Sequence, residues 1–338
     1  MHIVARLELP AGYSARPYVG PADHPEMVEV LNAYRPHAGN PERVSVAQMD
    51  ATYAHLTGCD VATDIALVEH REGGVVAYMR TSYEDLDTGR DCVVFCPTEP
   101  SHLRRDLFDA MVAAQEMHMR PLVDGAAVAR FRAHAVHPGP TEPATGEAAW
   151  LEGRGYVATE WSASLRRPHL DDIPDLPLPD GVEQRPVTED QVPEIVAAHL
   201  EAFRGEWDFR EPTEDDIAEV IDDPLRDISL WKVAWAGDVV VGQVKPFINA
   251  EENAERGTLR GYTEYISTHR DWRNRGIAGA LLAKSLRELR DRGMTEAVLG
   301  VDTNNPGGAF QLYTRLGFEL QSYEAIYTRA ATDAALPG

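Results

Sequence analysis

Cysteine is nearly absent from this 338-residue chain, which holds only Cys59, Cys92 and Cys96. Three is too few, and odd in number, for a disulfide framework. Cys92 and Cys96 flank the apolar run Val93-Val94-Phe95. Strand spacing puts them on one face, as buried free thiols rather than a redox or metal pair. Long apolar runs are also lacking: Ile277–Ala283 is among the longest, far short of the ~20 residues that a membrane-spanning helix needs. The opening Met1-His2-Ile3-Val4-Ala5-Arg6 has no cationic start followed by an apolar core, so no signal peptide is visible. A reducing cytoplasm fits these absences. Positive charge is scarce, with 32 Lys and Arg against 55 Asp and Glu, a formal net charge of −23. Such acidity repels a phosphate backbone and argues against a nucleic-acid binder. The 12 histidines form no metal pattern, since His134-x-x-His137 has no third ligand nearby and reads as a loop before Pro138-Gly139-Pro140.

What is present is globular. Hydrophobic residues make up 43% and charged residues 26%, which excludes wholesale disorder. The length suggests two domains, at roughly 150 residues each. Residues 167–180 carry Pro168, Pro174, Pro177 and Pro179, too dense for a helix or a central strand, and read as a linker. Residues 1–166 and 181–330 are then two domains, with 331–338 a tail. Both halves open with an extended Arg-Pro piece (Tyr13–Pro17, Val182–Pro186) and a helix (Pro25–Ala33, Asp190–Phe203). Both continue with strand, turn and strand, and end in a helix closed by Gly and an aromatic, Gly155-Tyr156 and Gly317-Phe318. Strands and helices mixed in this repeated order point to an α/β domain used twice.

The informative stretch is Thr263–Arg292. Thr263–Thr268 reads as a strand and runs into a loop ending Arg273-Asn274-Arg275-Gly276. Ile277, Leu281, Leu282, Leu286 and Leu289 then recur at helical spacing. Small residues at Gly276, Ala278 and Gly279 leave the helix start open, so its backbone N–H groups can meet an anion directly. From Arg270 to Arg292 seven basic residues face three acidic ones, a local +4. No G-x-G-x-x-G follows a strand and no Walker sequence occurs, which disfavours a dinucleotide or P-loop site. Ala297–Val301 reads as the next strand. Asn305 can cap a short helix with Pro306 in its first turn, and Leu312, Tyr313 and Leu316 line its apolar face.

In these residues the chain resembles the GNAT superfamily of acyl-CoA-dependent N-acyltransferases, in a tandem-domain form. Arg273-x-x-Gly276-x-Ala278 matches the acyl-CoA loop of that family, and Asn305…Ala309-x-x-Leu312-Tyr313-x-x-x-Gly317-Phe318 its second hallmark. The resemblance implies two GNAT-like α/β domains, each a mixed central sheet flanked by helices, with the motifs intact only in the second. It implies an acetyltransferase that passes an acetyl group from acetyl-CoA to a primary amine of a small molecule by direct attack. The alternative is a non-catalytic acyl-CoA-binding or scaffold protein.

The same resemblance suggests site residues. Ile266, Ser267 and Thr268 would run along the pantetheine arm, with Asn305 on its far side, and Arg273, Asn274, Arg275, Gly276, Ile277, Ala278 and Gly279 would hold the diphosphate. Tyr313 is placed as the acid for the departing thiolate, although it also fits a core tyrosine on an amphipathic helix. Glu264 is placed as the base, and reads equally as one solvent-facing residue of an alternating strand. In the first half Asp106, Phe108 and Leu151 are expected where Gly276, Ala278 and Tyr313 stand, so that half reads as degenerate. Asp180–Asp227 has 16 acidic residues against four arginines. Within it Glu206, Trp207 and Phe209 could seat a cationic amine, or the stretch is a solvated helical face.

Overall fold

The computed structural model describes residues 1–331 apart from 41, 125, 205–210, 212 and 304–307. Contacts divide the chain into two compact units, Met1–Trp161 with the segment from Ser322 onward, and Ser162–Gln321. No helix among the described residues is long and apolar enough to cross a membrane.

In the first unit the chain runs β1 (Tyr13–Pro17), α1 (His24–His37), α2 (Val46–Ala54), β2 (Ile65–His70), β3 (Val75–Leu86) and β4 (Gly89–Phe95). It continues with α3 (Arg105–Val123), β5 (Ala129–His137), α4 (Gly146–Gly153) and β6 (Val157–Arg167). Strands β1 to β4 pair antiparallel in order, and β4 pairs parallel with β5. The second unit repeats this pattern. Its elements are β7 (Glu183–Arg185), α5 (Val192–Ala202), α6 (Glu214–Asp222), β8 (Lys232–Ala236), β9 (Val239–Phe247), α7 (Ala250–Arg256) and β10 (Arg260–Thr268). Then come α8 (Ile277–Asp291), β11 (Glu296–Asp302), α9 (Ala309–Arg315) and β12 (Glu319–Ala330). Strands β7 to β10 pair antiparallel, and β10 pairs parallel with β11.

The sixth strand of each sheet is exchanged. Strand β12 pairs antiparallel with β5, through Tyr323↔His137 to Ala330↔Arg130. Residues Ser162–Arg167 of β6 pair with β11 in the second unit. The compact units therefore differ from a division at 166 and 181 by one strand traded at each end. The proline-rich segment is also more than a linker: Leu170 is buried, Arg167 donates to the His169 and Asp171 carbonyls, and Arg287 on α8 donates to the Pro174 carbonyl at 2.7 Å. His134 and His137 lie on β5 rather than in a loop. Cys92 and Cys96 are buried as expected, and burial pushes their thiols up to about 11 and about 12.

Helix α8 owes its seat to small residues beneath it. Ile277, Leu281, Leu282, Leu286 and Leu289 are essentially fully buried. A Cβ on Gly242 of β9 would meet the Ile277 side chain at 2.5 Å, so the first turn of α8 lies directly on the strand backbone. Gly242→Val is expected to cost about 1–3 kcal/mol by overpacking. Urea unfolding checks this, and an unchanged midpoint would mean that the first turn of α8 yields freely.

Candidate active site

The cleft arises where two strands part. Strand β10 pairs with β11 only through Arg260–Tyr262 and Glu296–Val298. Beyond that point β11 bonds to β6, while β10 stays on β9. A bulge accompanies the parting: Glu264 lies opposite Lys245 and Ser267 opposite Gln243, so β10 fits one extra residue between them. Tyr265, inside the bulge, has φ +52°, a left-handed conformation costing a β-region side chain roughly 1–2 kcal/mol. Such strain tends to persist where a site needs a particular backbone shape. The Gly300 N–H, released by the parting, donates to Glu264 Oε1 at 3.0 Å. Glu264 is thus held at the fork of the strands, and a structural duty is established for it.

The loop from His269 to Gly276 leads into α8. Asn274 (φ +62°) and Gly276 (φ +82°) are both left-handed, and the His269 ring accepts from the Asp271 N–H. No side chain caps the helix, and its first internal bond runs from the Ala280 N–H to the Gly276 carbonyl. The N–H groups of Gly276–Gly279 precede the first such bond, and these residues line a cavity of about 370 Å³. Arg273 donates to the Ala202 carbonyl at 2.6 Å, tying the loop to the end of α5, and Arg275 stacks over Trp272 at 4.6 Å.

The wall of the cleft is shared by Ile266–Thr268, Ala309 and Tyr313. Tyr313 is 5% exposed and packs edge-on to Phe318. Burial, and secondarily the charge of Glu264, hold its phenol well above the ordinary value, so it remains a proton donor at neutral pH. The fork therefore gathers a buried phenol, a carboxylate and a free strand edge beside an anion-ready helix start. This arrangement can grip a diphosphate, lay an extended arm along β10 and return a proton at the far end.

Some sequence expectations change. The described part of α9 starts at Ala309 behind Gly308 (φ +69°), and Asn305 lies outside the described residues. Glu206, Trp207 and Phe209 also lie outside them. The local +4 is not concentrated at the cleft. At 1.5 Å per residue the far end of α8 is ~20 Å from its start, and there Arg290 and Arg292 meet Asp291 and Glu288. Sequence reasoning also missed Leu176, Pro177, Ala202, Phe203 and Trp272, which line the cavity. The proline-rich spacing near 176 was the only local signal, and it pointed to a linker.

The first unit parts its strands in the same way. Strands β4 and β5 pair only through Arg90–Val93 and Ala129–Arg132, and a second cavity of about 370 Å³ opens beyond. Its chemistry differs. The cap of α3 is Arg104, so counting from the helix start sets Asp106 opposite Ala278, a shift of two from the sequence alignment. Asp106 pairs with Arg104 there. Phe108 and Glu147 line the cavity, and burial pushes the Glu147 carboxyl up to about 7. Leu151 does stand where Tyr313 stands: the Tyr156 N–H bonds to the Leu151 carbonyl as the Phe318 N–H bonds to that of Tyr313.

The relatives of this chain support an acyl-CoA-dependent acetyltransferase. Residues 192–318 match the acetyltransferase (GNAT) family. The chain is 27% identical to a mycothiol acetyltransferase of Salinispora arenicola, over 91% of this chain and 94% of that one. A GCN5-related N-acetyltransferase from Sphaerobacter thermophilus superposes with TM-score 0.69 at 22% identity, with 98% of each chain covered. A tandem GNAT protein from the clavulanic acid biosynthesis pathway gives 0.64 at 16%, covering 96% of this chain and all of that one. At such identities these two structures speak for the fold.

Proposed function

We propose that residues 181–330 form the catalytic domain, which transfers an acetyl group from acetyl-CoA to a primary amine of a small molecule by direct attack, and that the domain of residues 1–166 is catalytically degenerate. The observation that carries this reading is the uncapped start of α8, opening on a cleft that ends at Tyr313. The N–H groups of Gly276–Gly279 would hold the diphosphate, flanked by Arg273 and Arg275. The free edge of β10 at Ile266–Thr268 would run beside the pantetheine arm, with a backbone N–H there facing the tetrahedral oxyanion. Tyr313 hands a proton to the departing thiolate, and Glu264 orients or deprotonates the acceptor. Asp106, Phe108, Glu147 and Leu151 argue against the same chemistry in the first domain: a carboxylate at a helix start repels phosphate, and a leucine has no proton to give.

The likeness to mycothiol acetyltransferases favours a small-molecule acceptor. The acidity of Asp180–Asp227 favours a cationic one, since a negative cleft concentrates cations. Titration calorimetry with acetyl-CoA, followed by CoA release with glucosamine, cysteamine, spermidine and lysine methyl ester, tests the reading. One binding event per chain and turnover with at least one amine are expected. No affinity for acetyl-CoA would end it.

A further inference from the structure

Lys245 belongs to no part of the reaction described so far. Its side chain, on β9, is 2% exposed. Its Nζ makes no hydrogen bond to any described residue. Two rings enclose it, Tyr265 at 4.4 Å and Trp231 at 5.3 Å from their centroids. No carboxylate among the described residues pairs with it, and a buried ammonium so placed is costly, which favours the neutral amine. Its position is informative. Lys245 lies directly across from Glu264, at the bulge where the strands fork. Tyr265, which covers it, is followed in the chain by Ile266, which lines the acyl cleft. His199 of α5 touches Tyr265 on one side and Phe203, another cleft residue, on the other. Beside Lys245 is a cavity of about 20 Å³, also bordered by Asp223, Arg226 and Tyr265. That is room for one water, with polar partners to hold it.

We propose that the Lys245 amine, acting through one water in this cavity, is the base that takes the first proton from the acceptor ammonium, which leaves the Glu264 carboxylate to orient the acceptor. The proposal rests on the acyl-transfer reading above and deepens it. The acceptor ammonium loses a proton to the water as the water passes one to Nζ, which becomes an ammonium. The freed nitrogen lone pair forms the C–N bond at the thioester carbonyl, and the C–S bond breaks. The nitrogen sheds its second proton to solvent, Tyr313 supplies one to the thiolate and regains one from solvent, and Lys245 returns its proton to solvent. The balance is one amide, one thiol and one proton released.

The surroundings of Lys245 suit the task. Burial lowers its amine to about 7, so that it is partly free to accept a proton at neutral pH. The groups around it are Tyr265 from β10 over the amine, His199 from α5 against Tyr265, and Asp223 and Arg226 after α6 at the cavity, with Glu264 across the strand pair. His199 is itself held well below its ordinary value, by burial and then by the Lys245 charge, and stays neutral. Asp223 is raised by burial and bonded to the Leu225 N–H. Glu264 is engaged by the Gly300 N–H.

The test compares wild type, Lys245→Met, Lys245→Arg and Glu264→Gln over pH 5–9, using acetyl-CoA with the fastest of the four amines and, separately, hydroxylamine. Lys245→Met is expected to fold at least as well as wild type. Above pH 7 and below the ordinary lysine value the unfolded chain carries a charged lysine and the native one an increasingly neutral amine, a cost that methionine removes. Wild-type kcat/KM is expected to rise with pH through a midpoint near 7. Both Lys245 variants are expected to lose about 100-fold with the alkylamine at neutral pH, and that midpoint with it. With hydroxylamine, already deprotonated at neutral pH, they are expected to stay within about threefold. Glu264→Gln is expected to keep the midpoint. A Lys245→Met enzyme with the wild-type rate and profile overturns the proposal, as does a midpoint that vanishes in Glu264→Gln instead. If acetyl-CoA binds and wild type acetylates no amine, the acyl-transfer reading falls, and the role of Lys245 with it.

Discussion

Ala278→Asp is expected to weaken acetyl-CoA binding about 100-fold while leaving the fold intact. Ala278 is the second residue of α8, and the first unit carries Asp106 at the same place in α3. A carboxylate there faces the N–H groups that would hold the diphosphate, competes for them and repels the ligand. Losing one or two charge-assisted hydrogen bonds at roughly 1.5–3 kcal/mol each amounts to about 3 kcal/mol, or a factor of about 100 in Kd. The stability change runs the other way, because an acidic residue in the first turn suits the helix dipole by about 0.3–1 kcal/mol. Calorimetry and urea unfolding together separate the two effects. A variant as stable as wild type that still binds acetyl-CoA at full strength would remove the helix start from the site.

Tyr313→Phe is expected to lower kcat about 100-fold, with KM for acetyl-CoA within about threefold of wild type. The ring stays against Phe318 and only the hydroxyl leaves, so the wall of the cleft keeps its shape. Because burial and Glu264 raise the phenol, wild-type kcat is expected to show no falling limb from Tyr313 ionisation through pH 9. Steady-state kinetics across pH checks both points. Full kcat in Tyr313→Phe would leave the residue as core packing.

Legibility in the sequence followed the range of the interactions involved. The open helix start at Gly276, the apolar stripe of α8 and the Leu151–Tyr313 correspondence all rest on neighbours within a few residues. Periodicity and small side chains report such neighbours directly. Alignment of the two loops failed by two residues because no short-range pattern marks where α3 begins, and its cap is an arginine.

By itself, then, the amino-acid order determined a doubled α/β chain, the loop-to-helix junction that can receive a diphosphate, and the single half that kept the phenol. Tertiary structure alone decided which strand completes which sheet, where β10 and β11 separate, and that Leu176 joins the cleft. It also decided that Lys245 is enclosed by Trp231 and Tyr265. Local features hold within one or two turns of chain, whereas these contacts join residues tens to hundreds of positions apart. They form only when burial of apolar surface brings distant segments together, and no spacing along the chain encodes which partner will be met.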